Sequence, residues 1–209
     1  MKNGFFLTLE GPDGAGKSSQ ITLLAQKARE WGIETVITRE PGGTAVGDAI
    51  RGVLLNPSYQ EMVSLTEVFL YAASRAQLVH EVIMPALEAG KLVICDRFLD
   101  SSLAYQVYGG GMDFDFVWRT NLEAVKGRLP DKTFILDINP AAGLARRGLA
   151  FADRMEQKPL VFHERVREGF LTVATRFPER ITVLNGTCPL HEVFNQIWEN
   201  VSPAIAKLR

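Results

Sequence analysis

The stretch of the sequence best suited to chemistry is rich in glycine and ends in a lysine and a serine. It consists of eight residues, Gly11, Pro12, Asp13, Gly14, Ala15, Gly16, Lys17 and Ser18, which match G-x-x-x-x-G-K-[ST]. The glycines let backbone N–H groups surround an anion, and the start of a helix adds its dipole. In this pattern the lysine reaches the β- and γ-phosphates of a nucleotide, and the serine can ligate Mg²⁺. The stretch therefore predicts a phosphate loop, and Ser19 is included in its nucleotide site.

An acidic residue at the end of an apolar run provides a second metal ligand. Leu92 to Cys95 is apolar and leads directly to Asp96. A carboxylate at the carboxyl edge of a strand beside the phosphate loop can hold Mg²⁺ through water. An apolar run followed by an acid is usually only the end of a strand. The assignment of Asp96 as a metal ligand therefore depends on the phosphate loop and on Arg97, which follows it directly. Ser18 and Asp96 are the predicted metal residues.

Short apolar runs alternate along the chain with longer segments of helical period. Strands are expected at 5–10, 33–38, 91–95, 132–138 and 181–184, and helices at 21–31, 65–88, 114–126, 140–148, 160–176 and 189–201. This alternation predicts an α/β fold, a five-stranded parallel sheet of the P-loop NTPase type with helices on both faces. Because no repeat or linker occurs, residues 1–209 are expected to form one domain. Mobile loops are expected at 108–112 and 148–158, the latter within a short lid at about 146–158.

Composition excludes several other functions. The chain has 23 Lys and Arg against 24 Asp and Glu, a net charge of −1, so we expect no binding to nucleic acid by counterion release. Its two cysteines, Cys95 and Cys188, are too far apart in sequence for a redox or zinc motif, which favours a reducing compartment. The apolar run near the N-terminus is too short for a signal peptide or a membrane span. We therefore expect a cytoplasmic protein with no membrane partner.

The phosphate loop alone does not separate an ATPase, a GTPase and a small-molecule kinase. The guanine-reading motif N-K-x-D and the protein-kinase motif H-R-D are both missing from the sequence. Arg39 and Arg97 follow the second and third predicted strands, at the edge where open parallel sheets bind ligands, and are typical of clamps for an acceptor phosphate. These features favour an ATP-dependent small-molecule phosphotransferase. Another nucleotide kinase, or a protein whose nucleotide hydrolysis drives a partner, remains open.

Four motifs outside the phosphate loop carry a family resemblance. They are Thr38 to Thr44 (TREPGGT), Glu67 to Gln77, Asp96-Arg97-Phe98 with Ser101 to Gln106, and Asp153 to Glu156. With the loop they resemble the thymidylate kinases over nearly the whole chain. The resemblance implies transfer of the γ-phosphoryl group of ATP·Mg²⁺ to dTMP, giving dTDP and ADP for dTTP synthesis. It also implies a homodimer.

The resemblance implies a role for several residues on the acceptor side. Tyr71 would stack on the thymine ring and Arg75 would donate to a base carbonyl. The residues expected around the deoxynucleoside are Ser102 and Gln106 near the base, Tyr105 crowding C2′, and Asp13 accepting from the 3′-hydroxyl. Arg39 and Arg97 would bind the acceptor phosphate. Phe98 departs from the commoner tyrosine after Asp-Arg.

The transition state needs a cation that the phosphate loop does not contain between Pro12 and Ala15. Enzymes of this class commonly use an arginine to stabilise the transferred phosphoryl group. The predicted lid contains three candidates, Arg146, Arg147 and Arg154. They join the predicted catalytic residues Lys17, Asp13, Arg39 and Arg97. Lys17, at the start of a helix, is expected to be exposed.

Overall fold

The computed structural model describes residues 4–147 and 153–209. Within them a parallel sheet has the strand order β2-β3-β1-β4-β5. Its strands are β1 (Phe5–Glu10), β2 (Thr35–Arg39), β3 (Leu92–Asp96), β4 (Lys132–Asp137) and β5 (Ile181–Asn185). The predicted α/β fold with five parallel strands is confirmed. The second strand begins two residues later than expected.

The sheet is buried on both faces, which explains why its strands are apolar without alternation. Phe6 and Val93 face one hydrophobic cluster, whereas their neighbours Leu7 and Ile94 face a second cluster on the other side of the sheet. Ile21 and Leu24 of the first helix pack in that second cluster. Helices therefore cover both faces, as the sequence predicts.

The helices that connect the strands bring their ends to the carboxyl edge of the sheet. They are α1 (Lys17–Glu30), α2 (Ala45–Leu54), α3 (Ser64–Leu78), α4 (Met84–Glu88), α5 (Leu99–Ser102), α6 (Phe114–Ala124), α7 (Pro140–Arg147), α8 (Leu160–Arg176) and α9 (Leu190–Ile205). A π-helical turn, Val79–Ile83, joins α3 to α4, and another, Leu103–Gly109, continues α5. A short 3₁₀ turn, Ala206–Leu208, follows α9. In the described ranges, 4–147 and 153–209, no helix is both long and apolar enough to cross a membrane.

The glycine-rich segment at 108–112 is more ordered than expected. Tyr108 and Gly109 belong to the π-helical turn, and Gly109 is buried. A Cβ at Gly109 would lie 2.7 Å from a ring carbon of Phe162 on α8. The glycine allows close packing between two helices, so the prediction of a mobile loop is wrong for these two residues.

The predicted lid falls partly outside the described residues, because 148–152 are not described. The segment after them, from Asp153, forms turns that lead into α8. Arg154 and Met155 in those turns are buried rather than exposed. Both side chains pack into the protein, and the mobility of this segment stays a prediction.

Candidate functional site

A cavity of about 540 Å³ lies at the carboxyl edge of the sheet, where the phosphate loop and the turn after β3 meet. Most of the predicted donor-side residues line it: Asp13, Gly14, Gly16, Lys17, Ser18 and Ser19. So do the predicted acceptor-side and metal residues Arg39, Tyr71, Arg75, Asp96, Arg97, Ser102, Tyr105 and Gln106. The fold thus brings two groups of residues, far apart in sequence, into one cavity.

The phosphate loop connects β1 to α1 through glycines in the left-handed region. Gly16, the residue before α1, has φ of 92°. Gly14 has φ of 73°, and a Cβ there would lie 2.2 Å from the carbonyl oxygen of Gly143 on α7. Only glycine fits such a position. The helix α7 therefore packs directly on the loop.

Lys17 lies folded over its own loop. Its Nζ donates to the carbonyl oxygens of Gly11 and Pro12 at 3.2 and 3.0 Å, and the residue is 7% exposed. The expected exposure is therefore wrong, because the ammonium group finds its acceptors within the loop. Burial, followed by the nearby positive charge of Arg97, lowers the pKa of Lys17 to about 8.

Ser18 and Asp96 are close enough to share one metal ion. The hydroxyl of Ser18 donates to Oδ2 of Asp96 at 3.1 Å. Asp96 reaches this place because β3 pairs with β1 in the register Leu9 to Asp96. A hydroxyl and a carboxylate are the hard oxygen ligands that Mg²⁺ prefers. The hydroxyl of Ser18 and the carboxylate of Asp96 therefore fit a magnesium ion.

Arg97 and Tyr105 hold the carboxylate of Asp13 between them. Arg97 donates to Oδ1 of Asp13 at 2.7 Å, and the Tyr105 hydroxyl donates to Oδ2 at 3.2 Å. The guanidinium of Arg97 also lies 5.3 Å from the centre of the Tyr105 ring. Burial raises the pKa of the Tyr105 phenol well above its usual value, so the phenol stays protonated and acts as a donor. Asp13 is thereby fixed at the boundary between the loop and the acceptor side.

Arg75 is the polar centre of the acceptor side. It is 1% exposed, donates from Nε to Glu40 at 2.8 Å, and donates from Nη1 to Ser102 at 2.9 Å. It also contacts Asn121, and its guanidinium lies 5.4 Å from the centre of the Phe98 ring. A surface role for Arg75 is therefore excluded. Every contact holds the guanidinium rigidly against the wall of the cavity.

Tyr71 lies one helical turn before Arg75 on α3 and is half-buried at the cavity wall. Burial, with a further contribution from the Glu67 carboxylate, raises the pKa of its phenol, so the ring is neutral. Gln106 is buried and donates to Oε2 of Glu67 at 3.4 Å. The aromatic face and the amide predicted near the base thus lie in one cavity with Arg75.

Two arginines lie at the β2 side of the cavity. The Arg39 side chain is 60% exposed and lies 3.6 Å from Asp48. Arg51, which the sequence analysis missed, donates from Nη1 to the carbonyl oxygen of Pro41 at 2.9 Å. The sequence did contain a signal for Arg51. Thr44 is a residue type that commonly begins a helix, and it is the N-cap of α2. Arg51 follows it by seven residues, which is two helical turns, and so lies on the same face of that helix.

The three predicted lid arginines are in different situations. Arg146 is exposed at the end of α7 and donates to the carbonyl oxygen of Gly14 in the phosphate loop at 3.4 Å. Arg147 is the last residue of α7, and its side chain lies outside the described part of the structure. Arg154 is not part of the cavity lining and is 1% exposed. Its Nη1 lies 2.6 Å from Glu67, and its Nε donates to the carbonyl oxygen of Leu54 at 2.8 Å. This placement indicates a structural ion pair for Arg154 rather than contact with the transferred phosphoryl group.

Comparisons with known proteins give one consistent result. The family model described as thymidylate kinase matches residues 9–197. A thymidylate kinase from Exiguobacterium sibiricum is 45% identical, with 98% of this chain and 97% of the relative covered. One from Deinococcus radiodurans is 48% identical, with 97% and 98% covered. The crystal structure of thymidylate kinase from Ehrlichia chaffeensis is similar with a TM-score of 0.79, at 32% identity over 95% of this chain and 99% of that one.

Proposed function

The chain belongs to the thymidylate kinase family and transfers a phosphoryl group from ATP to dTMP, and we propose that it does so in the cavity described above. The observation that carries this proposal is the continuity of the site. Lys17 of the phosphate loop and Tyr71 and Arg75 of the acceptor side line the same cavity. Such an arrangement can hold donor and acceptor in line, and positioning with charge neutralisation is most of what phosphoryl transfer requires.

ATP binds with its phosphates on the loop from Gly11 to Ser19. The backbone N–H groups at the start of α1 face the β-phosphate, and the ammonium of Lys17 exchanges its loop carbonyls for phosphate oxygens. Ser18 and Asp96, 3.1 Å apart, would hold Mg²⁺. When bound, this ion neutralises charge on the phosphates of ATP.

The phosphate of dTMP binds among the arginines at the carboxyl ends of β2 and β3. Arg39 pairs with Asp96 in the sheet register, and Arg97 follows directly, so the two guanidinium groups start from adjacent strands. Arg51 extends the same positive surface from α2. An arginine fork can bind a phosphate through two parallel hydrogen bonds, which lysine cannot do.

The base of dTMP binds against Tyr71, with a carbonyl oxygen facing Arg75. A guanidinium has five N–H groups, and the hydrogen bonds of Arg75 among the described residues use four of them: two to Glu40, one to Ser102 and one to Asn121. The remaining N–H, on Nη2, can donate to the thymine carbonyl. Cytosine has an amino group where thymine has this carbonyl, so the amino donor of cytosine would face the N–H donor of Arg75. This contrast supports a preference for dTMP over dCMP.

The sugar binds between Asp13 and Tyr105. In this proposal Asp13, which is held by Arg97 and Tyr105, accepts from the 3′-hydroxyl. Tyr105, which contacts Asp13, is the residue that we propose to crowd C2′, and this crowding would give a preference for deoxyribose.

A second copy of the chain covers the exposed apolar side chains of α2 and α3. Val46, Val53, Leu65 and Phe69 are exposed on these two helices, which pack on each other, and Phe69 is 52% exposed. An apolar surface of this kind is typical of an interface. We expect a homodimer by light scattering and a monomer after Phe69→Glu; a monomeric wild-type protein would contradict this part of the proposal. A cytoplasmic location and the lack of a nucleic-acid partner stay predictions from the sequence.

Acceptor-dependent release of ADP tests the proposed function. With ATP and Mg²⁺, ADP should form rapidly when dTMP is added and only slowly without it. A protein whose hydrolysis drives a partner would release ADP at the same rate in both reactions, and that result would contradict the proposal.

A further inference from the structure

We propose that Glu10 is a positioning residue, which holds Arg97 in the conformation that directs its guanidinium to the acceptor phosphate. The inference rests on the proposed function, because that proposal gives Arg97 its role. Glu10 is the last residue of β1, lies directly before the phosphate loop and is fully buried. It does not line the cavity, so it would act through Arg97 rather than on substrate.

Arg97 has a backbone conformation that needs support. Its φ is 68°, in the left-handed region that residues with a side chain rarely adopt. Among the described residues, the other non-glycine with positive φ is Lys126, in the turn after α6. Strained conformations persist only where the surrounding structure determines them, and they are frequent at functional sites.

Strand β1 supplies this support on both sides of Arg97. In the peptide bond that precedes Arg97, the N–H of Arg97 donates to the carbonyl oxygen of Leu9 at 3.0 Å. In the peptide bond that follows Arg97, the N–H of Phe98 donates to Oε1 of Glu10 at 2.7 Å. The peptide bonds that flank Arg97 are thus both held by consecutive residues of β1, and the second bond depends on the Glu10 side chain.

Glu10 also orients the Arg97 guanidinium through Ser101. The Ser101 hydroxyl donates to Oε2 of Glu10 at 2.6 Å, which turns its lone pairs toward Nη1 of Arg97 at 3.2 Å. The same Nη1 donates to the carbonyl oxygen of Gly11 at 2.9 Å. The guanidinium plane is therefore fixed between Ser101 and the phosphate loop.

The surroundings of Glu10 make its charge matter. Burial and the nearby Asp100 carboxylate raise the pKa of Glu10 to about 8, whereas Arg97, the Ser101 hydroxyl and the Phe98 N–H favour the ionised form. With a pKa of about 8 the carboxyl group is largely protonated at neutral pH, so the Glu10 variants are compared above about pH 8, where the ionised form accepts from both Ser101 and Phe98.

Glu10→Gln, alone and combined with Arg97→Ala, tests the inference. The amide keeps one acceptor for Phe98 but presents a donor to Ser101, so the hydroxyl no longer turns its lone pairs to Arg97. We expect kcat/KM for dTMP to fall by about 10- to 100-fold, the size of effect that follows from a misplaced positioning group. KM for ATP should stay within about twofold, because the Lys17 contacts are retained. In the Arg97→Ala background, Glu10→Gln should change kcat/KM for dTMP by less than about threefold.

A matched control separates positioning from stability. Asp131 accepts from the backbone N–H of Phe6 at 2.7 Å, at the opposite end of the same strand and outside the cavity. Asp131→Asn likewise replaces a carboxylate that accepts from a backbone N–H of β1, and it should leave KM for dTMP unchanged even if the melting temperature falls. Equal factors for Glu10→Gln in both backgrounds, or normal dTMP kinetics in Glu10→Gln, would overturn the inference.

Should Glu10→Gln fail to fold, Ser101→Ala replaces it. This variant removes the acceptor for the guanidinium together with the hydroxyl that donates to Glu10. It should raise KM for dTMP in wild type but not in Arg97→Ala; an unchanged KM in wild type, or an equal rise in both, would overturn the inference. If Arg97→Ala by itself leaves dTMP kinetics normal, the proposed phosphate clamp is wrong. If only Arg97→Ala impairs them and Glu10→Gln does not, the clamp stands and the inference about Glu10 is wrong.

Discussion

Arg154 and Glu67 form a buried ion pair, with 2.6 Å between Nη1 and Oε1. The other oxygen of Glu67 accepts from Gln106, so one carboxylate on α3 joins the segment after the undescribed residues to the wall of the base site. Arg154 also donates to the end of α2 through Leu54. These contacts indicate that Arg154 stabilises the folded structure.

Removal of Arg154 should therefore affect stability first. Arg154→Ala leaves Glu67 buried without its partner, which costs about 3–5 kcal/mol of the free energy of unfolding. Thermal or denaturant unfolding measures this loss. A variant with normal stability and a kcat reduced by a hundredfold or more would instead support direct catalysis by Arg154.

Removal of Arg146, by contrast, should lower kcat and leave stability nearly unchanged. Its side chain is exposed and reaches Gly14 of the phosphate loop, so we expect it to supply the cation that stabilises the transferred phosphoryl group. Arginines with this role contribute about 10³–10⁵ in rate, so Arg146→Ala should lower kcat by at least about a hundredfold with little change in melting temperature. Arg29→Ala, at the exposed end of α1, is the control and should keep normal kcat. A normal kcat for Arg146→Ala would contradict this role for Arg146, and Arg147 would then be the expected source of the cation.

Lys17 should make the capture of ATP dependent on pH. Its pKa of about 8 means that the side chain is charged below that pH and loses its charge above it. The logarithm of kcat/KM for ATP should fall with a slope approaching −1 as the pH rises through about 8, and Lys17→Arg should remove that fall because arginine stays charged. The fall in kcat should occur at a higher pH than the fall in kcat/KM, because the phosphates of bound ATP stabilise the charged form of Lys17. A kcat/KM for ATP that stays flat to about pH 9.5 would contradict the assignment.

Gly143 should be needed for the shape of the phosphate loop. A Cβ at this position would lie 2.1 Å from the carbonyl oxygen of Asp13, so Gly143→Ala must push α7 and the loop apart. We expect KM for ATP to rise and the free energy of unfolding to fall by about 1–3 kcal/mol. In Gly52→Ala the new methyl meets nothing within 4 Å, so this control should be neutral or up to about 1 kcal/mol more stable. Unchanged ATP kinetics in Gly143→Ala would show that the loop tolerates the displacement.

The sequence was most informative where one local pattern determines the structure. The continuous apolar strands revealed the buried sheet, and the motifs at the ends of β1, β2 and β3 revealed most of the cavity. Helix α2 was missed because Val46 and Val53 are exposed and Gly47 and Gly52 weaken its helical pattern.

Contacts between distant parts of the chain could not be predicted from local patterns. Glu10 resembled the end of a strand, and its bonds to Phe98 and Ser101 cross about 90 residues of sequence. Gly109 belonged to a glycine run that indicated mobility, yet the ring of Phe162 packs on it. Arg154 shared its segment with other arginines, and nothing local distinguished its buried partner Glu67 from a surface acid.

The most direct test of the account compares kcat/KM for dTMP and dCMP in wild-type protein, with ADP formation as the readout. In the proposed site the remaining N–H of Arg75 donates at the position where thymine has a carbonyl and cytosine an amino group. We predict a preference for dTMP of about 10⁴ or more, since a buried donor left unpaired is costly, with dUMP between the two. Equal values of kcat/KM for dTMP and dCMP would contradict the account.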